Sequence, residues 1–220
     1  MTAQAMDIVF REDVALDSAP AWPCPNCGAA ALALLRASFH CMETAHSLAQ
    51  RRMDGWTPDC VQYRCSGLLR CGTCGDAVAM GGDGGAEAEG DGVTYADFFS
   101  PRYFHPALPL TTAQFRHAVP AAVQQALQRA FAPFWSDPRA CHAAMQAALQ
   151  AMLDGQGARD ARLAGAMDEF KRMMETQMWL PSDGAPGTGI ARRSDILRGF
   201  AWLDGWLSEL YPPLHASASD

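Results

Sequence analysis

The sequence predicts an α+β chain, mainly α, in which a small β unit built around paired cysteines precedes a bundle of four helices. Three observations predict it. Two C-x-x-C-G turns, at Cys24–Gly28 and Cys71–Gly75, lie in the first third of the chain. A glycine-rich acidic stretch follows them at 81–92. Beyond about residue 110 the composition shifts to alanine-, methionine- and leucine-rich segments whose apolar residues recur at three- and four-residue steps, the period of a helix.

Each cysteine turn projects two thiolates from one reversal, and the trailing glycine lets the chain turn back behind them. Two such turns brought face to face supply four thiolates at tetrahedral positions, the donor set of a closed structural Zn²⁺ site. The expected metal ligands are therefore Cys24, Cys27, Cys71 and Cys74, and the β unit is read as zinc-ribbon-like. Four cysteines leave no open coordination position for water or substrate, so the zinc is expected to be structural. A redox use of the pairs is disfavoured, because no βαβ pattern surrounds either one.

Taken in order, residues 1–22 carry Asp7, Glu12, Asp13 and Asp17 against Arg11 and form an acidic arm, with Ile8–Phe10 a candidate short strand. Ala31–Phe39 reads as a strand leaving the first turn, Tyr63–Arg70 as one entering the second, and Ala77–Met80 as one leaving it. Between them, residues 40–64 are a longer insertion than a minimal ribbon needs. Residues 81–92 hold six glycines and four acids with no base, the composition of a flexible linker. A calcium loop is disfavoured there, since the terminal glutamate of the twelve-residue pattern is missing. Tyr95–Leu110 is extended and punctuated by Pro101, Pro106 and Pro109.

Four helices are expected next. One opens at Pro120 and carries Val123, Leu127, Phe131 and Phe134; one opens at Asp137-Pro138 with Cys141, Met145, Leu149 and Met152. A third covers about 158–179, and a fourth is capped by Ser194 and carries Ile196, Phe200, Leu203, Leu207 and Leu210. The expected domains are a zinc-ribbon-like domain over 1–80, a Gly/acidic linker over 81–100 and a helical bundle over 101–220.

This plan resembles the bacterial family known as domain of unknown function 4145. The features that carry the resemblance are the two cysteine turns, the latter within Leu68–Gly75, then Tyr103/Pro106, Leu108-Pro109-Leu110, Val119-Pro120 and the run Ala148–Leu153. The resemblance implies a HEPN-like four-helix bundle, a homodimer through that bundle, and a place as accessory to a phage-defence or restriction system. Two departures bear on activity. Gln146 and Gln150 stand where the family has charged residues, and Leu197–Trp206 lacks its asparagine and histidine. HEPN ribonucleases also require an arginine–histidine pair at helical spacing for acid–base work beside a phosphate. Arg102/His105, Arg139/His142 and Arg116/His117 fall short of the four to six residues that such a pair spans.

Other clusters admit two readings each. His40, Cys41, His46, Cys60 and Cys65 form either a second metal site or a set of ordinary thiols and surface histidines, the commoner case. Arg51, Arg52, Arg64 and Arg70 make a local basic patch, offset by Glu43, Asp54, Asp59 and Asp76. Trp202 and Trp206 share a helix face and either anchor a partner or close the bundle. The net charge of −7 speaks against nonspecific nucleic-acid binding by the whole surface. No apolar run approaches the ~18 residues of a spanning helix, and no leader pattern is read at Met1–Asp7, so a cytoplasmic protein with reduced thiols is expected. The leading functional expectation is a non-catalytic, zinc-stabilised module that binds another protein or itself. The alternative is a nucleic-acid-binding or nuclease-related component.

Overall fold

The long strand Gln62–Cys71 is the spine of the N-terminal half. Its residues alternate between solvent and interior, with Cys65, Leu69 and Cys71 buried and Gln62, Arg64, Ser66, Leu68 and Arg70 exposed. That two-residue period is what a half-buried strand requires. In the computed structural model, which describes residues 9–10, 13–15, 20–88, 95–156, 165, 168–170, 172 and 193–212, this strand is the fourth of six. The strands are β1 (Trp22–Pro23), β2 (Ala30–Leu34), β3 (His40–Glu43), β4 (Gln62–Cys71), β5 (Ala77–Ala88) and β6 (Tyr95–His105). They form one antiparallel sheet in the order β1-β2-β4-β5-β6, curled into a half-barrel. One edge of β4 is shared: β2 pairs with Leu69–Cys71, and β3 pairs with Tyr63–Ser66.

The stretch expected to be a linker is instead part of the sheet. Gly81–Ala88 continues β5, which pairs with β4 on one side and β6 on the other. The glycines are there for room. A Cβ on Gly81 would fall 2.4 Å from the Tyr103 ring, and one on Gly82 would fall 2.1 Å from the Ser100 carbonyl oxygen, beside the bulge between Gly81 and Gly82. On Gly85 it would meet the Phe98 ring at 2.9 Å. Aromatic rings from β6 thus lie over a glycine-lined strand and supply the packing that its own side chains lack. Residues 89–94 lie outside the described residues.

The curled sheet closes over Trp22, Leu32, Leu69, Val78, Met80, Phe99 and Phe104, all buried, with Trp22 edge-on to Phe104 at 5.2 Å. The N-terminal arm is also used: Phe10 and Val14 are buried, and Val14 bridges Phe99 by paired backbone hydrogen bonds of 2.8 Å. Val9 is helical and Phe10 lies in a turn, so these two residues do not form the short strand read from Ile8–Phe10, and Ile8 lies outside the described residues. A short helix, α1 (Ala45–Gln50), is capped by Thr44 and fills the insertion after β3.

The chain divides into two compact units, one of them Ile8–Leu108. The other, from Pro109 onward, contains α2 (Ala113–Arg116), α3 (Ala121–Phe131), α4 (Pro138–Gln156) and α5 (Arg193–Leu210). Helix α4 starts where the sequence places it, with Asp137 Oδ1 accepting from the backbone N–H of Arg139 and Ala140 at 3.0 Å. The stripes Val123/Leu127/Phe131, Cys141/Met145/Leu149/Met152 and Ile196/Phe200/Leu203/Leu207 are buried, and Phe131 meets Phe200 at 5.4 Å. Trp202 and Trp206 are half-buried; Trp202 packs on Phe170 at 5.1 Å. Most of the expected third helix, about 158–179, lies outside the described residues, although 168–170 and 172 are helical.

The fold class therefore departs from expectation. The protein is not mainly α, its β unit is a six-stranded half-barrel rather than a minimal ribbon, and its described helices do not make the HEPN-like four-helix bundle. The cause lies in β5 and β6. Glycine composition signals chain freedom, and nothing local in Gly81–Gly85 announces that the freedom is spent on seating rings from a strand ten or more residues away.

Candidate metal centre

The two cysteine turns are brought together by the pairing of β2 with β4, which sets Leu32 opposite Cys71. Within each turn the backbone folds in the same way. The Gly28 N–H donates to the Cys24 carbonyl at 2.8 Å, and the Gly75 N–H donates to the Cys71 carbonyl at 3.0 Å. Gly28 and Gly75 have φ of 73° and 80°, the left-handed region that L side chains avoid. Gly75 has nothing within 4 Å of where a Cβ would stand, so backbone conformation alone calls for glycine there.

The Sγ atoms of Cys24, Cys27, Cys71 and Cys74 all lie within 4.8 Å of one another, so these four residues form a set that can hold a metal ion. Cys24 Sγ stands 3.7 Å from Cys74 Sγ, and Cys27 Sγ stands 3.7 Å from Cys71 Sγ. A tetrahedron with metal–sulfur bonds of about 2.3 Å has edges of about 3.8 Å, so the spacing fits an ion of that size at the centre. Cys24 and Cys71 are buried, Cys27 is half-buried and Cys74 is exposed. The Asn26 side-chain amide points at Cys74 Sγ from 3.7 Å, a donor placed to stabilise a thiolate.

The thiols are not equivalent. Burial pushes Cys24 up to about 12, well above an ordinary thiol. Cys71 is lowered to about 6, chiefly by the backbone N–H of Cys74, with that of Thr73 adding to it. The second turn thus presents a preformed thiolate, and the buried first turn holds its proton until a cation arrives.

The remaining cysteines do not join this set. Cys41 and Cys65, directly opposite on β3 and β4, are joined as a disulfide. The expectation of reduced thiols throughout is corrected here by strand register, which places the two Cβ atoms side by side. Cys60 Sγ lies 3.7 Å from Thr57 Oγ1, and Cys141 Sγ donates to the Ala130 carbonyl at 3.1 Å inside the helical unit. A cavity of ≈ 320 Å³ lined by Phe39, Cys41, Tyr63, Asp97, Phe98 and Phe99 adjoins the disulfide. Gln150 donates to Asp154 at 2.9 Å on the surface of α4, and Gln146 is half-buried on the same helix.

Fold and site together define a curled antiparallel β domain with a four-cysteine centre able to hold a metal ion, followed in the chain by a helical unit. Residues 12–104, less than half of the chain, are similar to a family described as Domain of unknown function (DUF8608). That stretch coincides closely with the half-barrel. No curated protein and no solved structure matches the chain. The resemblance to the domain of unknown function 4145 is overturned by this match. Paired cysteine turns recur wherever a chain builds a four-thiolate site, so they do not discriminate between families. Of the other shared features, Tyr103/Pro106, Leu108-Pro109-Leu110 and Val119-Pro120 are two- and three-residue matches, and Ala148–Leu153 is a run that any amphipathic helix supplies. No helix among the described residues is long and apolar enough to cross a membrane.

Proposed function

We propose that the protein is a non-catalytic binding module whose half-barrel is held in shape by one structural Zn²⁺ at Cys24, Cys27, Cys71 and Cys74. The observation that carries this reading is the closed set of four sulfurs at tetrahedral spacing, 3.7 Å along two of its edges. Zinc accepts four thiolates without redox change, and a fourth thiolate occupies the position where a catalytic zinc would hold water. The metal's role is then to pin the turn after β1 to the turn after β4. Four thiolates kept for a metal suit a reducing cytoplasm, and there the Cys41–Cys65 bond is itself open to reduction. The working surface is the outer face of the sheet, since the inner face is filled by the core. The phage-defence setting and the bundle-mediated homodimer came only with the overturned resemblance and are not proposed.

Metal analysis of the purified protein tests this reading. One zinc per chain is expected, with Cys71→Ser abolishing it; a chain that is folded and free of metal would contradict it.

A further inference from the structure

The outer face of the half-barrel carries a particular arrangement. On β4, Arg64, Ser66, Leu68 and Arg70 point outward, and opposite them on β5 stand Asp83, Gly81, Ala79 and Ala77. On β6, Tyr103 lies across Gly81 so closely that a Cβ there would meet its ring at 2.4 Å, yet the residue is 50% exposed. One face of the ring is against the sheet and the other is open to solvent. Arg64 Nη1 and Arg102 Nε each donate to Asp83 at 2.8 Å, one to each carboxylate oxygen, and both arginines remain more than half exposed. His40 sits opposite Ser66 on β3 and His105 opposite Ala79 on β6, both exposed. Arg51, by contrast, is turned to Glu43 in a paired contact at 2.7 Å.

This face is basic on a chain whose net charge is −7. Arg64, Arg70 and Arg102 are set against Asp83 and, at the far end of β5, exposed Glu87, with two histidines beside the arginines. Arg64 and Arg70 are six residues apart along one strand, about 20 Å, so the positive charge is drawn into a track rather than gathered at a point. An open tyrosine ring lies beside that track. Arginines spaced along a sheet beside a stacking platform match an extended polyanion that carries a π-face at each repeat. A duplex hides its base faces and offers none to Tyr103, and a run of acidic side chains has the charge but no ring at each repeat.

From this we infer that the outer face of β3–β6 binds single-stranded nucleic acid, with Tyr103 stacking on a base and Arg64, Arg70 and Arg102 contacting phosphates. The inference rests on the reading of the half-barrel as a binding module. Asp83 holds two of the three arginines in place and attenuates their charge. The whole-molecule charge then limits binding to strands that reach the platform.

The test is fluorescence anisotropy of the intact, metal-loaded protein with labelled single-stranded DNA and RNA of about 12 nucleotides, across a salt series. Saturable binding is expected, with a log–log salt slope of about −2 for three phosphate contacts. Tyr103→Ala is expected to weaken it about 10-fold and Tyr103→Phe to restore it. Asp83→Ala is expected to tighten binding several-fold, a change that loss of structure cannot produce. Zinc content and circular dichroism are read on each variant, so a failure of the metal reading is seen separately. Absence of binding at low salt would overturn the inference. So would equal binding of a duplex or a polyglutamate chain, or binding indifferent to Tyr103→Ala and Arg70→Ala.

Discussion

Cys71 ends β4 and begins the second turn, so one residue belongs to the sheet ladder and to the metal set at once. Its lowered pKa and the raised pKa of Cys24 have a consequence for metal uptake. Protons compete with the metal for thiolates, and Cys24 gives up its proton only near 12, whereas Cys71 has already done so above about 6. Metal affinity is therefore expected to rise steadily from pH 6 to pH 9 and to collapse below 6, where Cys71 is also protonated. Competition with a chromophoric chelator across that range measures it, and a flat profile would contradict the assignment. Gly82 is the other residue that decides locally. A methyl group there would stand 2.1 Å from the Ser100 oxygen, which belongs to backbone and cannot swing aside. Gly82→Ala is expected to cost about 2–4 kcal/mol in denaturant unfolding. Gly55→Ala, in open space at φ 80°, is expected to cost about 1 kcal/mol. The cysteine turns were legible in the sequence because their chemistry is local: two thiols and a left-handed glycine within five residues. Gly82 was not, because the atom that excludes a side chain comes from β6.

At the scale of elements, β3 and β4 are tied twice, by backbone ladder and by the Cys41–Cys65 bond. The bond closes a loop with a sequence separation of 24, whose entropy in the unfolded chain is worth about 3 kcal/mol in the chain-entropy account. The double variant Cys41→Ser/Cys65→Ser is expected to lose about that much stability relative to the oxidised protein, and adding reductant to the native protein should reproduce the loss. In the helical unit, buried Asp204 on α5 accepts from Thr111 and from the Ala113 N–H at 3.1 Å, holding the start of α2. Asp204→Ala takes the acceptor from the buried Thr111 hydroxyl and leaves the Ala113 N–H only its longer bond to Thr111 Oγ1 at 3.3 Å, and a destabilisation of about 2–4 kcal/mol is expected by chemical denaturation. The helices themselves were readable. Their stripes follow the 3.6-residue period, and Asp137-Pro138 marks a start that propensity and capping agree on. The second half of β5 was not readable, because strand propensity reports packing against neighbours, and glycine's neighbours here are rings supplied by Phe98 and Tyr103.

For the whole molecule, the half-barrel has a core of its own in Trp22, Leu69, Val78, Met80, Phe99 and Phe104, and the four-cysteine centre closes the end where β2 meets β4. The sequence announced that centre and misjudged the body around it. Four thiols of fixed spacing carry their purpose within short motifs, whereas a curled sheet depends on register between strands far apart in the chain. The central claim is that a zinc ion at Cys24, Cys27, Cys71 and Cys74 stabilises this β domain. The most direct measurement is zinc content together with thermal unfolding, before and after exposure to a strong chelator. One zinc per chain is expected, and its removal should lower the melting temperature by roughly 10 °C or more. A protein that carries no zinc, or that melts at the same temperature without it, would contradict the account.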